Sequence, residues 1–245
     1  MEAEFDTLAG WTAEVALDLG SEHHVPAGCR GSGSPGALRW LLDRLAPAAG
    51  AALLDCGAGV GGPAAFAAAE AGVRPVLTEP APDACRAARR LFGLPAVQAA
   101  SALPFATGSF GLAWSLGVLC TVPDQPQLLA ELRRVLDPGG RLGLLVFVAA
   151  GPLPEQPEGN DFPTADRLGA LLDGAGLDVR DRATAADFAV APPGWDDRTA
   201  AVEAELERRH GGAEAWRTAA AQSAVIGRLL GSGNLVGTLL VATAR

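Results

Sequence analysis

From about residue 50 onward, short apolar runs alternate with amphipathic stretches. The runs at 52–56, 74–79, 96–100, 110–116 and 141–148 are bounded by glycine, proline or charge and predict buried strands. Between them, 63–72, 83–92 and 124–136 repeat apolar residues at helical spacing, with Asp83 and Asp124 as expected N-caps of the last two. Upstream, 4–19 sets Phe5, Leu8, Thr12, Val15 and Leu19 on one helical face with Trp11 beside it. The stretch 37–46 turns Trp40, Leu41, Leu42 and Leu45 inward. Gly20–Pro35 has neither period and is expected to be a loop. Downstream come a Pro/Gly-rich loop at 149–163, a helix over Thr164–Ala175 and a strand over Leu177–Ala183. Two helices, Arg198–His210 and Glu214–Leu230, precede a last strand at Leu235–Ala242. Strand and helix in alternation predict an α/β fold of three layers, a mostly parallel sheet between helices.

One stretch stands apart, Leu53-Leu54-Asp55-Cys56-Gly57-Ala58-Gly59-Val60-Gly61-Gly62. It predicts a strand ending near Asp55, a tight glycine turn, and a helix opening near Pro63, where a missing N–H is tolerated. Free N–H groups at such a helix start suit a nucleotide or nucleoside. Two ligands fit. Gly57, Gly59 and Gly62 satisfy G-x-G-x-x-G, and Glu79 lies 22 residues beyond Gly57, near the spacing of the ribose-binding acid in NAD enzymes. Asp55, however, sits where dinucleotide strands usually carry an apolar residue. An acid there suits S-adenosylmethionine (SAM), which has a cationic amino group and no phosphate.

At this point the chain resembles a class I SAM-dependent methyltransferase, whose first motif is an acid followed by G-x-G-x-G. The resemblance covers 51–148 in order. PVLTE at 75–79 looks like the second strand, and Leu103-Pro104-Phe105 with Gly108-Ser109-Phe110 looks like the family's LPF…SF segment. Leu116–Asp124 resembles the end of strand four, and 131–140 follows E-x-x-R-V-L-x-P-G-G. The family's fold would be a Rossmann-like sheet of seven strands, mostly parallel, with the last strand antiparallel. Asp55, Gly57, Ala58, Gly59 and Gly61 would then cradle the methionine end, and Glu79 the ribose. Pro80, Ser101, Ala102, Leu103 and Leu116 complete the implied cofactor set. Ser101 stands where the family often has an adenine-binding Asp, and a neutral acceptor makes the weaker bond.

The resemblance also divides the chain as a single domain, 1–245. Residues 1–46 would be N-terminal lid helices and loop, and 51–148 the SAM-binding core. Residues 149–245 would hold a helical insertion at 198–231 before the last strand. The lid would fold over SAM, and it carries His23, His24 and Arg30. His23 and His24 are the candidate general bases, since histidine titrates near neutrality. Arg30 is a candidate partner for the methionine carboxylate or an acidic substrate group.

Composition narrows the partners. The 245 residues carry a net charge of −9 and no Lys, which argues against nucleic acid and anionic membranes as substrates. Tyr is absent, removing one class of base. Four cysteines without a C-x-x-C pair are expected to be reduced, and His and Cys lack metal-ligand spacing. The acidic Met1–Asp6 lacks the basic start of a secretory signal, so a cytoplasmic location is expected. The function expected is methyl transfer from SAM to a small molecule. A methyltransferase-fold protein that does not methylate (a cyclase-like enzyme or SAM-binding module) and an NAD oxidoreductase stay open as alternatives.

Overall fold

Leucine, valine and alanine fill the central runs between glycine turns, so these runs bury both faces and need helices above and below them. The structure, a computed structural model, describes residues 2–245, with side chains from Glu4 onward; Met1, which heads the acidic opening segment, lies outside the described residues. The strands are β1 (Ala52–Cys56), β2 (Arg74–Glu79), β3 (Ala96–Gln98), β4 (Phe110–Leu116), β5 (Leu136–Ala149), β6 (Leu177–Thr184) and β7 (Leu235–Ala244). They form one seven-stranded sheet in the order β3-β2-β1-β4-β5-β7-β6. The first five run parallel, and β7 runs antiparallel to both β5 and β6.

Side chains alternate along β1 and feed two cores. Leu53, with Trp114 and Leu116 of β4, packs under α3 (Pro35–Leu45) and α4 (Gly62–Ala71). Leu54, with Ala113 and Leu142, packs under α6 (Gln125–Val135) and α7 (Ala165–Gly174). A third cluster joins α1 (Glu2–Leu19), α5 (Pro82–Phe92) and α8 (Trp195–His210), and α9 (Glu214–Gly231) bridges α1 to the sheet. In α1 the buried stripe is Ala9, Thr12, Ala13, Val15 and Ala16, whereas Phe5 is 46% exposed. The face expected from the large residues is therefore rotated: small alanines let α1 lie close on α5.

Four other expectations are corrected. Gly20–Pro35 is not all loop, because it holds a 3₁₀ turn (Ser21–His23) and a short helix, α2 (His24–Gly28). β5 starts at Leu136, ahead of 141, because the Asp137–Gly140 turn is absorbed as an irregularity opposite Phe110–Leu112, with Gly139 at φ 78°. β3 ends at Gln98. Asp124 caps α6 by accepting from the Gln127 N–H at 2.9 Å, but Asp83 lies inside α5, not at its cap. There Asp6 of α1 accepts from the Asp83 N–H at 2.5 Å, so a distant helix supplies the cap. Among the described residues, no helix is long and apolar enough to cross a membrane.

Candidate active site

At the carboxyl end of β1 the chain turns back on itself. Gly57 has φ 76°, and both its N–H and that of Ala58 reach the Thr78 carbonyl, at 2.9 and 3.0 Å. A Cβ on Gly57 would lie 2.4 Å from Val118 Cγ2, so glycine is required by backbone sign and by space. Gly59 and Gly61 also have positive φ, and α4 begins directly after them. Topology puts this turn where β1 neighbours both β2 and β4, the switch point at which open α/β sheets bind ligands.

Two acids flank the turn. Glu79 at the end of β2 is 4% exposed; its Oε2 accepts from the Gly59 N–H at 2.8 Å and its Oε1 from the Ala81 N–H at 3.0 Å. The carboxylate is thus aimed by backbone donors. Asp55 is 2% exposed, and its Oδ2 has no hydrogen-bond partner. Burial pushes its pKa up to about 7, against a lowering influence from the Trp114 indole and with a further push from Glu79. Trp114 is the register neighbour of Asp55 across β1 and β4, yet its Nε1 falls outside hydrogen-bonding geometry. A buried carboxyl left one bond short, beside a second acid, is electrostatically suited to a cationic group.

The implied adenine side is built from the LPF segment. Ser101 is half-buried, Ala102 exposed and Leu103 buried. Glu131 Oε2 accepts from the Leu103 N–H at 2.9 Å. Arg134 donates to the Leu103 and Phe105 carbonyls at 3.0 and 2.8 Å, and the two side chains pair at 2.6 Å. This pairing holds Glu131 below the usual carboxylate range. The E-x-x-R spacing on α6 therefore serves to pin the LPF segment. Sequence reasoning named the motif without that role. Val118 and Trp114 were likewise missed, since only register and a close approach reveal them.

The N-terminal segment lies over the turn. A Cβ on Gly62 would stand 2.1 Å from the Gly28 carbonyl carbon, so α2 seats backbone-to-backbone on the first turn of α4. From outside, α8 covers α2, burying Val202, Leu206 and Ala27 together. Arg30 Nε donates to Glu203 of α8 at 3.3 Å. Arg209 reaches Asp18 at 2.6 Å, and His210 stacks on Trp11 with centroids 3.9 Å apart. His24 Nδ1 lies 3.2 Å from the Leu91 carbonyl, and its ring meets Phe92 edge-on. His23 Nδ1 is buried without a hydrogen-bond partner, 3.9 Å from a Glu22 oxygen.

Thiols offer no nucleophile here. All four cysteines are free, and burial pushes Cys56 and Cys120 up to about 12 and raises Cys29 strongly. Among the described residues, no group of three His, Cys, Asp or Glu is placed to hold a metal ion.

Comparison with known proteins bears on the same region. Residues 54–144 match the family described as methyltransferase domain. The chain is 33% identical over 164 residues to methyltransferase GfsG of Streptomyces halstedii, covering 57% of either chain; it thus spans little more than half of that relative's length. Among solved structures, the [4+2]-cyclase SpnF superposes with a TM-score of 0.65 at 23% identity, over 84% of this chain and 79% of that one. A geranyl diphosphate C-methyltransferase from Streptomyces coelicolor, solved with S-adenosyl-L-homocysteine (SAH), gives 0.62 at 16%, over 85% and 75%. These two share the fold. Over residues 54–144 the chain thus carries a methyltransferase domain.

Proposed function

We propose that this protein transfers the methyl group of SAM to a small molecule. The observation that carries the reading is the pair of buried acids at the glycine turn, one of them an Asp55 oxygen without a partner. A pyrophosphate would add negative charge beside two carboxyls, whereas an ammonium and a sulfonium relieve their repulsion and free Asp55 to ionise. Asp55, Gly57, Ala58, Gly59 and Gly61 would hold the methionine end, and Glu79 and Pro80 the ribose. Ser101, Ala102, Leu103 and Leu116 would border the rest.

When bound, SAM supplies a methyl already activated on sulfur, so the protein's work is to orient, exclude water and receive a proton. The covered turn serves the first two. Of the lid histidines, His23 keeps a nitrogen without a hydrogen-bond partner and is the base we propose, while the bond from His24 to Leu91 suits a structural role. Arg30, paired with Glu203, is assigned to the lid's attachment instead of the methionine carboxylate. The reduced thiols suit a cytoplasmic location.

Calorimetric titration with SAM, SAH and NADH tests the cofactor. Micromolar binding of the two sulfur nucleosides and none of NADH is expected. SAH release on adding candidate acceptors tests methyl transfer; a protein that transforms an acceptor with SAM unconsumed belongs to the non-methylating reading.

A further inference from the structure

Beside the glycine turn, three chain segments are sutured into one rim. The loop after β4 is tied to the loop after β5 by the Asp161 N–H on the Cys120 carbonyl, at 2.8 Å. The loop after β5 is tied to α9 and its exit by Arg228 on Glu155 at 2.9 Å and by the Ala150 N–H on Asn234 O at 2.9 Å. Along this rim lie Val118, Val122, Leu153, Val225 and Ile226, each packed on the core yet only partly covered. Leu229 is the single buried residue of the 18 in α9. Val118 also touches the space beside Gly57, so the half-covered apolar surface abuts the cofactor turn.

The rim's charge is equally telling. Arg228 is engaged by Glu155, Arg167 by Asp161 in a two-pronged pair, and Arg217 by the Gly212 carbonyl. Neither the loop after β4 nor the loop after β5 contributes another cation, while Asp124 and Glu158 add negative charge. An anionic acceptor would meet carboxylates, and Arg228 and Arg167 are already paired with acids. Burying a charge without a partner is costly, so the rim discriminates against it.

From this we infer that the acceptor is a neutral, apolar small molecule seated on Val118, Val122, Leu153, Val225 and Ile226, with the Glu155–Arg228 pair closing the groove against anions. The inference rests on the methyltransferase reading for its location beside the cofactor turn.

The test uses the full chain saturated with SAH, Nile red as a neutral apolar probe, and 1-octanol, octanoate and octylamine as competitors sharing one tail. Micromolar Nile red binding is expected. Octanol should displace the dye, with octanoate and octylamine at least 10-fold weaker. Ile226→Asp and Val122→Asp, on different segments and both partly exposed in the wild type, should each weaken dye binding 10-fold or more and leave SAH affinity unchanged. Glu155→Gln frees Arg228 and should tighten octanoate several-fold, an effect that mere loss of a surface pair does not produce. Failure of Nile red to bind, equal affinity for octanoate or octylamine and octanol, or an Ile226→Asp protein that retains the dye overturns the groove. Loss of SAH binding in the wild type, by contrast, sinks the methyltransferase reading itself.

Discussion

Replacing Asp55 by Asn should stabilise the ligand-free protein at alkaline pH while weakening its hold on SAM. An aspartate in the unfolded chain loses its proton near its model value of 3.8, but burial delays ionisation in the folded protein to about 7. Between those values unfolding releases a proton, so raising the pH favours the unfolded state. Over a shift of about 3 pKa units, at about 1.4 kcal/mol each, the accumulated penalty is about 4 kcal/mol; it is complete above pH 7 and absent below about pH 4. Asn carries none of this pH dependence, although its buried amide costs about 1–3 kcal/mol at every pH. The difference between variant and wild type should therefore move in the variant's favour by about 4 kcal/mol from pH 4 to pH 8. At about 2–4 °C per kcal/mol for a chain of this size, the relative melting temperature shifts by about 10 °C. Scanning calorimetry at pH 4, 6 and 8 reads it. In parallel, SAM affinity should tighten in the wild type as pH rises through 7 and be at least 10-fold weaker and flat with pH in the variant. A melting difference independent of pH would refute the assignment of Asp55 as a strained, cation-awaiting acid.

The remaining predictions concern the turn, its supports and the lid. Gly57→Ala meets both the positive φ and the Val118 side chain, and should cost about 2–4 kcal/mol in denaturant melts; adding Val118→Ala should recover the steric part alone. Glu131→Gln loosens the Leu103 N–H and Arg134 together, so a loss of about 1–2 kcal/mol accompanied by weaker SAH binding is expected. Unchanged SAH affinity would separate the LPF segment from the cofactor. At saturating SAM, His23→Ala should lose kcat by about 100-fold or more if His23 is the base. His24→Ala should lower the melting temperature through the lost Leu91 contact and spare kcat.

What was legible in the sequence was local. The β1 run, the glycine turn, Asp55 and Glu79 lie within a short span whose periodicity and turn chemistry leave few alternatives, and the strand order β3-β2-β1-β4-β5-β7-β6 matches the family fold that the motifs implied. Tertiary partnerships were not legible. Nothing near Asp83 signals that Asp6, more than 70 residues away, caps α5, and nothing near Glu131 signals that it reads the Leu103 backbone. The helix α2 escaped because five residues containing Pro26 and Gly28 set no period; α4 and α8 hold it from both sides. Arg30 looked free for a ligand because Glu203, its partner, lies far along the chain. The start of β5 was obscured because Asp137-Pro138-Gly139-Gly140 carries strong turn chemistry, yet the chain stays paired with β4 around it.

The central claim is that two buried acids at a glycine turn make a site for a cationic sulfur nucleoside. Calorimetric titration of the wild-type protein with SAM across pH 6 to 8, with NADH as control, tests it most directly. Micromolar binding of SAM that tightens through pH 7 as Asp55 ionises, and no heat with NADH, are expected. Binding of NADH in preference to SAM, or SAM affinity that weakens as the pH rises, would contradict the claim.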